Sequence, residues 1–216
     1  RHMFDSLEFR KLYERLQGLK AQLFPGLGGE DVAREEPRNA ERRDIDDERG
    51  LREVLEVCRE RGELALFARI SGEGYTRGSM ESASVACGGM VYRFDLDDEG
   101  VRALFGAFLG EITNAPGWRI ASYRGKDVMV QCARLYSSYP RFDFDVELAS
   151  YLVDPSGSKH DLESSALRYL DLQLAPCPAG QLDLLQEEEA AADQDARCAD
   201  AVERMVEPMQ ADLNLR

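Results

Sequence analysis

Two consecutive segments in the second half of the chain decide the fold class. They read FDVELASYLVDP at residues 144–155 and HDLESSALRYL at residues 160–170. Apolar residues recur at the spacing of one helix face, so each segment predicts a helix. The expected core positions are Leu148, Leu152, Leu162, Ala166 and Leu170. Pro155 ends the first helix, and Asp161 is a suitable N-cap for the second.

The preceding segments predict a sheet. An apolar run at residues 64–70 lies between two glycines, as a buried strand does. Residues 82–87 and 90–94 flank Gly88-Gly89, which predicts two strands joined by a tight hairpin. Residues 118–123 predict a fourth strand. Helices are expected at residues 51–58, after an N-cap at Asp97 or Asp98, at residues 126–136, and from Glu187 onward. The fold class is therefore α/β, a hairpin-led mixed sheet flanked by helices.

The first fifty residues differ in character from the rest. Arg1 to Met3 are interpreted as a cloning remnant, and residues 5–24 predict an amphipathic helix that begins at a capping box. Residues 26–50 combine glycines, prolines and a dense mixture of charges without apolar periodicity, which predicts a charged linker. The expected division is an N-terminal helix at residues 1–25, a linker at residues 26–50 and a domain at residues 51–216.

Composition excludes several classes of protein. The formal net charge is −14, which argues against tight independent DNA binding, although Arg119, Arg124 and Lys126 form a local basic group. The five cysteines are widely spaced, so they predict reduced thiols. Only two histidines are present, which argues against a histidine-based metal site or triad. No apolar run approaches the ~20 residues of a membrane span. We expect no membrane partner and a cytoplasmic location.

The two opening segments resemble the stretch that joins the second and third exonuclease motifs of bacterial family A DNA polymerases. The shared features are phenylalanine-aspartate, a helix ending in tyrosine-leucine, histidine-aspartate-leucine, and a second helix ending in arginine, an aromatic residue and leucine. Residues 7–10 are similar to the end of the 5′-nuclease region of those polymerases. The resemblance implies a 3′–5′ exonuclease-type domain of DNA polymerase I with a ribonuclease H-like (DnaQ-like) fold. It also implies adjoining 5′-nuclease and polymerase domains.

The resemblance implies a carboxylate site that this chain has largely lost. Exonucleases of this type hold two Mg²⁺ ions with carboxylates. The motif aspartate-x-glutamate is expected at Ala68 and Ile70, with Arg69 between them. The second-motif aspartate matches Asp127, the one vestigial catalytic and metal-ligand candidate. The tyrosine and aspartate of the third motif match Gln194 and Cys198, although a shifted register would bring in Asp195 or Asp200. Glu73, Asp95 and Asp97 are weaker substitutes.

Three functions remain open at this point. The first is a degenerate exonuclease-like domain that is a structural module of a Mg²⁺-dependent replication or repair polymerase, needs no cofactor of its own, and meets DNA through the parent polymerase. The second is an active proofreading exonuclease with displaced metal ligands, which would require two Mg²⁺ ions. The third is an independent protein-interaction domain whose acidic surface meets a basic partner.

Overall fold

The computed structural model describes residues 40–72, 78–157, 159–174 and 184–215. The chain divides into two compact units, Arg1–Arg38 and Asn39–Arg216, and the described residues all belong to the second. The expected N-terminal helix, most of the expected linker, Glu73 and Cys177 lie outside the described residues. None of the helices in the described ranges is long and apolar enough to span a bilayer.

The described unit is a mixed sheet with helices on both faces. The strands are β1 (Glu41–Asp44), β2 (Glu63–Ser71), β3 (Ser79–Cys87), β4 (Met90–Asp95), β5 (Arg119–Ser122) and β6 (Phe144–Asp145). The helices are α1 (Glu48–Arg61), α2 (Glu99–Asn114), α3 (Gly125–Tyr136), α4 (Val146–Val153), α5 (Leu162–Leu170) and α6 (Leu184–Asn214).

The six strands are ordered β1-β4-β3-β2-β5-β6. Strands β2, β3 and β4 pair antiparallel, whereas β1, β5 and β6 add in parallel. The turn from β3 to β4 has a positive φ at both Gly88 and Gly89, the geometry that favours glycine in a two-residue hairpin. The predicted hairpin-led sheet is therefore confirmed.

Each face of the sheet has its own core. On one face, α1, α2 and α3 pack with side chains such as Leu64, Leu66, Phe94 and Phe105. On the other face, α4, α5 and α6 pack with Ala65, Val91 and the small residues of α6. Helix α6 contacts β2, β3 and β4, so it covers the middle of the sheet. A residue of β2 can therefore meet α6 only if its side chain points to this second face.

Two sequence expectations need correction. Residues 41–50 are not a linker, because they form strand β1 and the start of α1, where Asp47 accepts a hydrogen bond from the Gly50 amide at 2.7 Å. Phe144 and Asp145 belong to strand β6 rather than to a helix, because Asp145 is the N-cap of α4 and accepts from the amides of residues 147 and 148.

Both predicted helices are present as α4 and α5, but only some of their predicted core positions are buried. Asp161 is the N-cap of α5, as expected, and accepts a hydrogen bond from the Ser164 amide at 2.7 Å. Leu148 and Leu152 were expected in the core, but they are 61% and 60% exposed. The buried face of α4 consists of the smaller residues Val146, Ala149, Ser150 and Val153. The helical periodicity correctly predicted a helix here. It did not predict the buried face of that helix, where smaller residues take the place of the leucines.

Candidate functional site

The direction of the β2 side chains corrects the position of the expected metal site. Ala68 and Ile70 pack against the first core, with α1, α2 and α3. Phe67 packs against the second core, and Arg69 hydrogen-bonds to a residue of α6. Because alternate residues of a strand point to opposite faces, Ala68 and Ile70 lie on the wrong side of the sheet to meet Gln194 and Cys198. The α6-facing pair is Phe67 and Arg69, and neither is a carboxylate.

A buried ion pair joins the end of β2 to α6. Arg69 donates to Asp195 Oδ1 through Nε at 2.9 Å and through Nη2 at 2.6 Å. The same Nη2 also donates to the Ala191 carbonyl. The Asp195 side chain is only 3% exposed, and its Oδ2 accepts from the Ser82 hydroxyl at 2.6 Å. Both oxygens of this carboxylate are thus held by protein groups.

A β-bulge aligns the two strands that hold Asp195. The register between β2 and β3 shifts after Arg69, so that Arg69 pairs with Ser82 while Ile70 pairs with Met80. The shift leaves Glu81 as the extra residue of β3. Arg69 and Ser82 therefore lie side by side and approach the same carboxylate from adjacent strands.

Two more arginines on this face pair with acidic residues of α6. Arg42 on β1 lies 2.7 Å from Glu189 and 2.6 Å from Asp193. Arg93 Nε on β4 lies 3.6 Å from Asp195 Oδ2. The Arg42 and Arg93 side chains are mostly buried. We call Arg42, Arg69, Arg93, Glu189, Asp193 and Asp195 the α6 ion-pair cluster.

The two expected third-motif positions lie beside this cluster. Gln194 Nε2 donates to Cys198 Sγ at 3.7 Å. Burial, with a smaller contribution from the Asp195 carboxylate, raises the pKa of the Cys198 thiol to about 12. Since metals bind the thiolate, a thiol that stays protonated at neutral pH is a poor ligand. Asp200, the other residue reached by a shifted register, is buried and lies 3.3 Å from Arg204 on the same helix.

Asp127 belongs to a second group of charges at the start of α3. Its carboxylate pairs with Arg124 at 2.5 Å. Glu147 also lies near this pair, and its pKa is raised mainly by burial and further by the carboxylates of Asp145 and Asp127, against the opposing charge of Arg124. We call Arg124, Asp127, Asp145 and Glu147 the Arg124 cluster.

The backbone of the Arg124 cluster is tightly constrained. Arg124 has a φ of 54°, a left-handed conformation that is uncommon for a residue with a side chain. The following amide, that of Gly125, donates to Asp145 Oδ2 at 2.7 Å. A Cβ atom at Gly125 would lie 2.7 Å from the Phe142 ring, so any other residue here would force that ring to move. Asp145 therefore connects the beginnings of α3 and α4.

The remaining charged candidates are held in ordinary surface interactions, whereas the cysteines of the described residues are buried. Asp95 is exposed at the end of β4 and accepts from Arg93 at 3.3 Å and from the Asp97 amide at 3.2 Å. Arg119 of the expected basic group pairs with Glu63 at 2.5 Å. Cys58, Cys87, Cys132 and Cys198 are free thiols, as expected.

The residues that the structure describes do not fit the two-Mg²⁺ site of an exonuclease. Within the described ranges, no three acidic, histidine or cysteine side chains are grouped so that they would hold a metal ion. The α6-facing end of β2 offers a benzyl group and a guanidinium, whereas Mg²⁺ requires oxygen ligands. A fixed positive charge at Arg69 also repels cations at this point.

Sequence reasoning missed most of the α6 ion-pair cluster. Arg69 was recognised as a charge beside the expected site, but its partner lies 126 positions away. One local signal was present at Arg93, because an arginine inside the apolar strand MVYRFD needs a partner wherever it is buried. Arg42 had no such signal, since it lies in a segment dense with both charges.

Comparisons with known proteins agree on the fold. No protein-family model matches the chain, and no curated protein matches it. Among solved structures, the POL domain of Pol1 from M. smegmatis, in complex with DNA primer-template and dNTP, has a TM-score of 0.62 at 17% identity; the match covers 81% of this chain and 28% of that chain.

Two further solved structures show the same similarity. NrnC from Brucella melitensis, with bound Mg²⁺, has a TM-score of 0.56 at 16% identity, covering 81% of each chain. Escherichia coli RNase D, an exoribonuclease involved in structured RNA processing, has a TM-score of 0.59 at 14% identity, covering 80% of this chain and 45% of that chain. Together with the mixed six-stranded sheet, these similarities identify the ribonuclease H-like fold of 3′–5′ exonuclease domains.

Proposed function

We propose that the chain is a degenerate 3′–5′ exonuclease-like domain of DNA polymerase I that acts as a structural module without proofreading activity. The observation that carries this proposal is the ion pair between Arg69 and Asp195. It lies where the α6-facing end of β2 meets the last helix. There the Asp195 carboxylate is already paired with a guanidinium and accepts a hydrogen bond from a serine hydroxyl.

The physical argument concerns the two cations. Two-metal hydrolysis needs several carboxylates, because one ion generates the attacking hydroxide and the other stabilises the leaving oxygen. Phe67 and Arg69 supply no negative oxygen, and the Cys198 thiol stays protonated because burial raises its pKa to about 12. Asp127 alone would leave a metal mostly hydrated and weakly held. Hydrolysis by this route is therefore absent or very slow in our proposal.

The proposed parent protein extends beyond this chain. The chain corresponds to 28% of the length of the M. smegmatis Pol1 chain. In the proposal, adjoining 5′-nuclease and polymerase domains make up the rest, the polymerase domain carries the Mg²⁺-dependent synthesis, and DNA is bound through the parent. The parent protein would take part in DNA replication and repair in the cytoplasm.

A nuclease assay tests the proposal. The chain is incubated with 5′-labelled single-stranded DNA and, separately, single-stranded RNA, with Mg²⁺ or Mn²⁺ and with a chelator. We expect no metal-dependent shortening of either strand. An active 3′–5′ exonuclease, incubated in parallel as the positive control, should shorten the same substrates. Metal-dependent shortening that disappears in the Asp127→Ala variant would overturn the proposal, because it would show a functioning carboxylate site.

A second candidate is an active exonuclease with displaced ligands, and the Arg124 cluster favours it. Asp127, Asp145 and Glu147 lie near enough for their charges to act on one another. However, Asp127 pairs with Arg124, and both oxygens of Asp145 accept backbone amides. If this candidate is correct, Glu147→Gln and Asp127→Ala each abolish shortening in the assay above, whereas Asp95→Asn leaves it unchanged.

A further inference from the structure

Two buried polar atoms beneath α6 have no hydrogen-bond partner among the described residues. They are Ser84 Oγ on β3 and Arg93 Nε on β4. Ser84 is 0% exposed, and the Arg93 side chain is 13% exposed. A buried donor that forms no hydrogen bond is costly, because it gives up the water that it binds in the unfolded chain. Both atoms therefore need a partner that lies between the sheet and α6.

Strand pairing places the two atoms side by side on the face that α6 covers. Ser84 of β3 pairs with Arg93 of β4 on one side and with Phe67 of β2 on the other. Phe67 packs in the second core, which lies under α6. Directly paired residues project to the same face of a sheet, with Cβ atoms roughly 5 Å apart. Ser84 and Arg93 thus both point toward α6 as neighbours.

The Asp195 carboxylate of α6 faces the same point. Its Oδ2 lies 3.6 Å from Arg93 Nε, which is too long for a direct hydrogen bond. The same oxygen accepts from the hydroxyl of Ser82, two residues before Ser84 on β3. Because side chains two residues apart on a strand share a face, Ser84 lies beside the Ser82 contact. Ser84, Arg93 and Asp195 therefore surround one point between the sheet and the helix.

A water molecule matches the hydrogen-bonding groups around this point. Arg93 Nε can only donate, the Asp195 carboxylate can only accept, and the Ser84 hydroxyl can do either. A water can accept from Arg93 and from Ser84 while it donates to Asp195, and buried waters usually form about three such hydrogen bonds. The Asp195 carboxylate repels an anion from this point, and the Arg93 guanidinium repels a metal cation.

We propose that Ser84, Arg93 and Asp195 bind one buried water molecule as a part of the α6 ion-pair cluster. The water satisfies the two atoms that have no protein partner, and it links β3 and β4 to α6. Asp195 is then joined to three strands, to β2 through Arg69, to β3 through Ser82 and to β4 through the water and Arg93. This site does not depend on whether the chain belongs to a polymerase.

Magnetic relaxation dispersion of the water oxygen-17 nucleus tests the site in solution, because it counts the long-lived buried waters of the folded chain. The Ser84→Val variant replaces the hydroxyl with an apolar group that fills the site, and we expect it to lose one long-lived water per chain. Ser122→Val is the matched control. Ser122 is also 0% exposed, but its hydroxyl already donates to the Leu66 carbonyl at 2.7 Å, so this variant should keep the count.

A crystal structure of the unaltered chain tests the same site without any substitution. We expect an electron-density peak of one water within hydrogen-bond distance of Ser84 Oγ, Arg93 Nε and Asp195 Oδ2. A direct hydrogen bond from Arg93 Nε to Asp195, with no peak beside Ser84, would overturn the proposal. An ion at this point would also overturn it, as would an unchanged count of long-lived waters in a Ser84→Val chain that circular dichroism shows to be folded.

Discussion

Arg69 compensates the negative charge of Asp195, a carboxylate that is buried in the interior. Asp195 is 3% exposed, and burying an unpaired carboxylate costs several kcal/mol. The guanidinium of Arg69, the hydroxyl of Ser82 and the nearby Arg93 together satisfy it. The Asp195 carboxylate is thus compensated by arginine side chains of the protein, without a cation from solution.

Removal of Arg69 is expected to destabilise the domain. Arg69→Met leaves Asp195 buried without its main partner and should lower the free energy of unfolding by about 3 kcal/mol. Arg59→Met, which breaks the exposed pair with Glu111, should cost less than about 1 kcal/mol. Urea unfolding followed by circular dichroism measures both. The double variant Arg69→Met/Asp195→Leu should recover part of the loss; equal effects of Arg69→Met and Arg59→Met would refute the role of this pair.

Glu147 is expected to make stability depend on pH. Its folded-state pKa is raised above 4.5, mainly by burial, so the folded state holds the proton more tightly than the unfolded state does. Stability from this group is therefore present at low pH and is lost as pH rises from 4.5 through the raised value. The Glu147→Gln variant should gain stability relative to the wild-type protein over this range. Thermal unfolding at a series of pH values measures the difference, and a difference independent of pH would contradict the prediction.

Among the secondary-structure elements, α3 and α4 depend on one side chain. Asp145 Oδ1 accepts from the amides of α4, while its Oδ2 accepts from the Gly125 amide of α3. Asp161, by comparison, is the N-cap of α5 alone, where it accepts a hydrogen bond from the Ser164 amide. The first carboxylate thus stabilises two helix starts and the second stabilises one.

The two caps give a matched pair of variants. Asp161→Ala should lower the free energy of unfolding by about 1 kcal/mol, the usual cost of a lost N-cap. Asp145→Ala should cost roughly 2 kcal/mol, because a third amide is also left without its acceptor. Chemical unfolding of both variants under the same conditions measures the ratio. A smaller loss for Asp145→Ala than for Asp161→Ala would show that the contact with Gly125 contributes nothing.

The sequence predicted the positions of helices and strands better than it predicted which of their side chains face the interior. The glycine-flanked run at residues 64–70 predicted β2, but it is apolar on both sides, so it carries no alternation that would show which residues face α6. For that reason the sequence could not show that Phe67 and Arg69, and not Ala68 and Ile70, face α6. Residues 41–44 looked like a linker because the partners that make β1 stable, Glu189 and Asp193, lie far along the chain.

For the whole molecule, the sequence predicted the architecture better than the site. Local signals were sufficient for the hairpin, the N-cap at Asp161 and the long last helix. The site depends on contacts such as that between Ser82 and Asp195, which are 113 positions apart and leave no local pattern. A ribonuclease H-like exonuclease fold was therefore predictable, whereas its ion-pair cluster became visible only in three dimensions.

Binding of Mn²⁺, followed by the electron paramagnetic resonance signal of the free ion, tests the central claim most directly. If a guanidinium and a protonated thiol have replaced the metal ligands, free Mn²⁺ should rise with the same slope for the wild-type chain and for Asp127→Ala, up to millimolar concentration. The Asp127→Ala variant corrects for weak binding to the acidic surface. Saturable binding of two ions per chain that is lost in Asp127→Ala would contradict the account.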